Sequence, residues 1–248
     1  MTSAVPRTAL VTGASQGIGL AAARRLLDEG YAVAVSSRSA ERAERAAREL
    51  GDGAVAVVGD VTDARQAKQA VDDAAAALGR LDVLVNNAGI DADDDSLALP
   101  LADWDRVLAT NLSGAFFSAQ AALPHLLAAG GGTIVNLGSL WGNLGMPERA
   151  AYGTSKHGLD GLTRVLAREW GPRGVVCTMV DPGYIETAMI ETVRGGTRAD
   201  LVRRTPAGRL GSPADVAEAI AFLASDRAAA LNGGRLAVDG GWLAYGGW

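Results

Sequence analysis

The chain has 248 residues, 48% of them hydrophobic and 21% charged, with a formal net charge of −5. That is enough apolar material for one α/β domain with a full core, and an acidic balance without a Lys/Arg run leaves no broad basic face for nucleic acid. A single cysteine, Cys177, excludes a disulfide framework within the chain and a cysteine-rich zinc site, and no uninterrupted apolar stretch reaches the roughly 18 residues of a membrane helix. The expectation is a soluble, cytoplasmic protein with no metal, no nucleic acid and no membrane among its partners.

Short β-branched runs alternate with Ala/Arg/Glu-rich stretches of helical period. Strands are expected at 8–12, 31–36, 54–59, 81–87, 132–139, 175–183 and 235–241, and helices at 17–30, 39–50, 63–79, 102–129, near 150–172 and near 212–225. Seven strands interleaved with helices predict a doubly wound, Rossmann-type parallel sheet covered on both faces. No Pro/Ser-rich linker divides the chain, so residues 1–248 read as one domain, with a lid-like insertion near 187–207. In such sheets ligands meet the carboxyl ends of the strands, which directs attention to the residues that follow each strand.

After the first strand comes GASQGIG. Read as G-x-S-x-G it could present Ser15 as a hydrolase nucleophile, but that chemistry needs a later Asp or Glu and then a His, and only His125 and His157 exist. Read as G-x-x-x-G-x-G it uses all three glycines: Gly13 for a tight turn, Gly17 for close backbone approach, Gly19 for packing a helix whose N-terminus faces a phosphate. Ser15, Gln16 and Ile18 then lie along the same cradle. The second strand ends at Ser37 and Arg38, where a carboxylate would hold a ribose 2′-hydroxyl and an arginine instead suits a 2′-phosphate. The cofactor expected is therefore NADP(H), with NAD(H) the second choice.

Tyr152 and Lys156 are four apart in AAYGTSKHG, on one face of a helix. An ammonium beside a phenol favours the phenolate, so the pair predicts a general acid or base working nearer neutrality. Ser139 lies 13 residues before Tyr152, at the end of the fifth strand, and Asn111 is a polar residue amid apolar neighbours in TNLSG.

Taken in order, TGASQGIG, GDVTD, NNAG, TNLSG, IVNLGS, YGTSK, DPGYIET and VDGG make the chain resemble the short-chain dehydrogenase/reductase family over essentially its whole length. The resemblance implies a nicotinamide cofactor, a homotetramer, and a catalytic tetrad of Asn111, Ser139, Tyr152 and Lys156. It gives Ser139 the substrate oxygen, Tyr152 the transferable proton, Lys156 the nicotinamide ribose and Asn111 a bound water. It also places Asp60 and Val61 at the adenine, Asn87, Ala88 and Gly89 at its ribose, and Pro182, Gly183, Ile185 and Thr187 at the carboxamide end.

The substrate reads as a small free carbonyl or secondary alcohol: a polyol, sugar or cyclic ketone. The alternative is a 3-oxoacyl-(acyl-carrier-protein) reductase, and a non-catalytic nucleotide sensor is a distant third. The run of aspartates in IDADDDS is either a solvated loop or a pocket mouth reached by Asp91, Asp93 or Asp94. Trp141, Met146 and Tyr184 are candidate pocket walls. The closing segment GGWLAYGGW is expected to bury Trp242, Tyr245 and Trp248 at a subunit interface.

Overall fold

The computed structural model describes residues 6–187 and 197–244. Seven strands, β1 (Thr8–Val11), β2 (Ala32–Ser37), β3 (Ala54–Val58), β4 (Val83–Asn86), β5 (Gly132–Leu137), β6 (Val175–Pro182) and β7 (Arg235–Val238), form one sheet in the order β3-β2-β1-β4-β5-β6-β7. Every pairing is parallel. The order reverses between β1 and β4, so the crevice for a ligand opens at the carboxyl ends of these two strands.

Strand residues sort by parity, as a period of two requires. Ala9, Val11, Val33, Val35, Val83, Val85 and Val135 pack with helices α1 (Gly17–Asp28) and α8 (Pro213–Ala224). Leu10, Ala34, Leu84 and Ile134 pack on the other face with α3 (Ala64–Leu78), α5 (Gly114–Ala128) and α6 (Ala150–Trp170). Because both faces are covered, the strands carry apolar residues at consecutive positions. Two further helices, α2 (Ala40–Leu50) and α4 (Leu101–Leu108), complete the layers, and α7 (Arg198–Arg204) lies within the segment expected to be a lid. The remainder of that expectation, 188–196, falls outside the described residues, as do Tyr245 and Trp248.

The helix expected at 102–129 is not continuous: α4 passes through a π-helical turn, Ala109–Ser113, into α5. Such turns concentrate at functional sites, and this one carries Asn111.

The polar residues of the inner strands are paired across the sheet. Asn86 Nδ2 donates to Asn136 Oδ1 (2.9 Å) and to the Ala115 carbonyl (3.1 Å), while Asn136 Nδ2 donates to Thr163 Oγ1 (2.9 Å). This chain of amides joins β4 and β5 to α5 and α6 directly beneath the crevice. Asn136 is completely buried, so Asn136→Ala strands a donor on Asn86 and is expected to lower stability by about 1–3 kcal/mol. Urea unfolding with an unchanged slope checks this; a midpoint equal to wild type contradicts it.

Candidate active site

A cleft of about 520 Å³ runs along the carboxyl ends of the strands. Of the sequence-predicted residues, all of the cofactor candidates line it, as do Ser139, Asp91, Trp141, Met146 and Tyr184; Asn111 lies just behind its wall.

The turn after β1 is shaped by its neighbours. Gly13 (φ 64°) and Gly17 (φ 59°) occupy the left-handed region, and a Cβ on Gly13 would come within 2.8 Å of the Ala88 backbone. A Cβ on Gly19 would meet Asn87 Nδ2 at 2.4 Å and the Gly13 carbonyl at 2.8 Å. Asn87 Nδ2 donates to the carbonyls of Thr12 (2.8 Å) and Gly13 (3.1 Å), and Thr12 Oγ1 accepts from the N–H groups of Asn87 and Ala88. The β1 and β4 turns are thus tied into one unit, with Asn87 Nδ2 engaged by the turn. Gln16 caps α1 without a side-chain hydrogen bond, which leaves the first backbone N–H groups of the helix facing the cleft. These glycines and uncapped amides fit a pyrophosphate.

At the end of β2 the cleft is lined by Ser37, Arg38 and a residue the sequence reading did not name, Arg42. Arg38 is largely exposed and lies 3.9 Å from Asp60, whose carboxylate also accepts from Thr62 N–H and Oγ1. Two guanidinium groups at this corner fit a phosphate on the adenosine ribose.

The hydrolase reading of Ser15 ends here. His125 pairs with Asp72 (2.8 Å) and His157 Nδ1 lies 2.9 Å from the Gly153 carbonyl, so neither serves Ser15. Cys177 is fully buried in β6, where burial pushes its thiol up to about 12, the behaviour of a packed hydrophobe.

At the other end, α6 carries Tyr152 and Lys156 into the cleft floor. Lys156 is 3% exposed, and its ammonium donates to the Leu137 carbonyl (2.7 Å) at the end of β5 while lying 5.5 Å from the Tyr152 ring centre. Burial lowers the Lys156 pKa to about 8 and raises that of Tyr152 to about 12, opposed mainly by a hydrogen bond from Ser139. The Tyr152/Lys156 spacing predicts a phenol pulled toward neutrality by the ammonium. In the protein alone burial outweighs every neighbouring charge, and the cation acting on the phenol is Arg149.

Ser139 Oγ accepts from Trp141 N–H (3.2 Å), so its proton remains free for a ligand oxygen or the phenol. Its backbone N–H donates to Asp181 Oδ1 (3.1 Å), and Asp181 Oδ2 accepts from Arg235 Nε (2.8 Å) and Asn143 Nδ2 (3.2 Å). Arg235 Nη1 in turn donates to the Gly142 carbonyl (3.2 Å). Asp181 reaches this turn across Gly138, where a Cβ would lie 1.9 Å from Asp181 Oδ1. A buried ion pair between β6 and β7 therefore fixes the Ser139 turn, and nothing in the local sequence signalled it.

Asn111 is 1% exposed and has both ends of its amide engaged: Oδ1 accepts from Ile90 N–H (2.9 Å), and Nδ2 donates to the Ile90 carbonyl (2.9 Å) and Ser155 Oγ (3.0 Å). Its side chain staples the loop after β4 to α6.

The pocket wall is aromatic. Trp141 and Tyr184 stand 6.1 Å apart edge-on, and Tyr184 and Trp242 4.8 Å. Trp242 is 7% exposed within its own chain, packed with Leu140, Leu201 and Leu210 and covered by Arg204. The expectation that it needs a subunit interface for burial is thereby corrected: α7 folds back on it. Among the described residues no three potential metal ligands cluster, and no helix is long and apolar enough to cross a membrane.

The Lys156 shift has a measurable consequence. Between pH of about 8 and the ordinary lysine value of 10.5 the unfolded chain holds a proton that the folded chain has released, so stability rises with pH through that window. Lys156→Met is expected to flatten this rise in urea midpoints between pH 8 and 10; an equal rise in both proteins contradicts the assignment.

A family profile described as enoyl-(acyl carrier protein) reductase matches residues 13–243. The chain is 42% identical over 240 residues to a D-threitol dehydrogenase of Mycolicibacterium smegmatis, covering 95% of this chain and 92% of that one. It is 39% identical over 239 residues to a 3-oxoacyl-(acyl-carrier-protein) reductase of Staphylococcus aureus, covering 95% and 97%. The structure of a gluconate 5-dehydrogenase from Burkholderia cenocepacia in complex with NADP and tartrate superimposes with a TM-score of 0.92 at 36% identity, covering 96% of each chain. With its parallel seven-stranded sheet and these relatives, the chain belongs to the short-chain dehydrogenase/reductase family, and it is an oxidoreductase of the nicotinamide-dependent kind.

Proposed function

We propose that the enzyme interconverts a carbonyl and a secondary alcohol on a small free substrate (a polyol, sugar or cyclic ketone) and prefers NADP(H) to NAD(H). The observation that carries this reading is the convergence of Ser139, Tyr152 and Lys156 at one end of the cleft, with the Arg38 and Arg42 corner at the other. The glycine turns and the α1 N-terminus hold the dinucleotide, which supplies or accepts the hydride when bound.

The protein supplies the rest. The Ser139 hydroxyl, fixed by Trp141 and Asp181, binds the substrate oxygen. Tyr152 gives that oxygen its proton or takes it away. The Leu137 carbonyl holds the buried Lys156 ammonium beside the phenol, where it would bind the cofactor's ribose, and positive charge brought in with the cofactor would favour the Tyr152 phenolate. Asn111 positions α6 against the loop after β4. The chain functions as one domain, with α7, packed on Trp242 through Leu201 and Arg204, flanking the aromatic wall of the pocket.

The threitol dehydrogenase and gluconate dehydrogenase relatives support a small hydroxylated substrate. The carrier-protein reductases support the alternative, a tethered acyl chain. Against the alternative stands the pocket mouth: Asp91 lies there, and the adjoining Arg149 is 4% exposed and bound to Asp91 and Asp93, so it offers little to an acidic carrier. The exposed Phe116 on α5 and Val165 on α6 support assembly of the chain through these helices as a homotetramer.

Two variants test the reading. Tyr152→Phe keeps the ring and removes the proton, so turnover should fall by roughly 10²–10⁴ while cofactor binding, followed by fluorescence, survives; unchanged turnover contradicts it. Ser37→Asp combined with Arg38→Ala deletes an attraction and adds a repulsion, so the kcat/KM ratio should move toward NAD(H). A wild-type enzyme that already favours NAD(H) contradicts the cofactor preference.

A further inference from the structure

Arg149 is placed at some cost. It opens α6, where the helix dipole disfavours a cation. It is 4% exposed, and it follows Glu148, which among the described residues is the one non-glycine with a left-handed φ, 62°. Strained backbone and a buried charge together mark a position held for a purpose. Beyond the effect of its charge on the Tyr152 phenol, it has no part in the Ser139–Tyr152–Lys156 group or in the dinucleotide cradle.

What the arginine holds is the loop after β4. Its Nε lies 3.1 Å from Asp91 Oδ2, its Nη1 donates to Asp93 Oδ1, and its backbone bridges to Asp94. Asp91 lines the cleft together with Ser139, Trp141, Met146 and Tyr152. It is near enough for its charge to act on both the Tyr152 phenol and the Lys156 ammonium. Of the roughly four acceptor sites of a carboxylate, the Ala92 N–H takes one and Arg149 another. Two remain for a ligand. Asp91 is the carboxylate that lines the cleft at this end, with Asp93 taking the other side of Arg149, so a hydroxyl donor placed against Asp91 is welcomed and an anionic group is disfavoured.

We propose that Asp91, fixed by Arg149, is the specificity-determining residue: it accepts a hydrogen bond from a hydroxyl beside the reacting carbon and so selects neutral vicinal diols and polyols. Simple alcohols lack the donor, and a carboxylate in its place or one carbon beyond it brings like charge toward Asp91. The inference rests on the alcohol/carbonyl reaction proposed above and narrows its substrate class. Arg149 acts through Asp91 and is a positioning residue.

The test compares kcat/KM for 2-butanol, butane-2,3-diol and 3-hydroxybutyrate at saturating NADP⁺ in wild type, Asp91→Asn and Arg149→Lys. Wild type is expected to favour the diol over 2-butanol by roughly tenfold or more, a hydrogen bond to a charged acceptor, and to use 3-hydroxybutyrate least. In Asp91→Asn an acceptor remains but its charge is lost, so the diol-to-monoalcohol ratio should fall several-fold, mainly through the KM of the diol, and 3-hydroxybutyrate should gain. Arg149→Lys keeps the charge but not the fork and should lower the same ratio, which preserves the test if Asp91→Asn fails to fold. Equal losses on all three substrates, an unchanged ratio in both variants, or a wild-type preference for 3-hydroxybutyrate overturns the proposal. A wild type that oxidises none of them with either cofactor overturns the reaction itself, and the specificity proposal with it.

Discussion

The Lys156 ammonium, 3% exposed and donating to the Leu137 carbonyl, is the group around which the candidate site is built. A charge withdrawn from water must find fixed partners or release its proton, and here it does some of each: one strand-end carbonyl holds it, and burial brings its pKa to about 8. The adjacent Tyr152, pushed up to about 12, stays a neutral phenol in the protein alone. The pair is thus a neutral phenol beside a buried amine, and a positive charge brought into the cleft would favour the phenolate.

The surrounding structure keeps this arrangement rigid from three sides. Below, the Asn86–Asn136–Thr163 chain locks β4 and β5 to α6. Behind, Asn111 joins α6, through Ser155, to the loop at Ile90. Beside it, the Asp181–Arg235 pair fixes the turn that presents Ser139. Each of these is a buried polar contact between elements distant in sequence. Buried pairs of this kind contribute little net stability, and removing one partner costs far more than the pair is worth; their effect here is to hold three side chains in fixed relation.

The fold was legible because its signals are local. Alternating β-branched runs and helical stretches predicted seven strands within a few residues of their ends, and the parity of apolar residues needed only the sheet to sort them onto two faces. The Gly13–Gly19 cradle and the Tyr152/Lys156 spacing were equally readable, since backbone conformation and helix periodicity act over a few residues. The contributions of Arg42, Arg149, Asp181 and Arg235 were not, because each depends on a partner set by tertiary packing. Arg149 did leave a trace, a cation at the first turn of a helix, yet that trace has meaning only once Asp91 and Asp93 are seen opposite it. Trp242 was misread for the same reason: its burial comes from α7 and Tyr184, neither of which its own sequence neighbourhood announces.

The most direct measurement is an ultraviolet titration of the Tyr152 phenol, taken as the difference between wild type and Tyr152→Phe, in the presence and absence of NADP⁺. Without the nucleotide the phenol should ionise near the value of about 12 set by burial. With it, the positive charge that the oxidised nucleotide would bring to the cleft should lower that value by more than about one unit. A phenol that ionises near neutrality in the protein alone, or at the same pH with and without NADP⁺, would contradict the account of a site poised by burial and switched by charge.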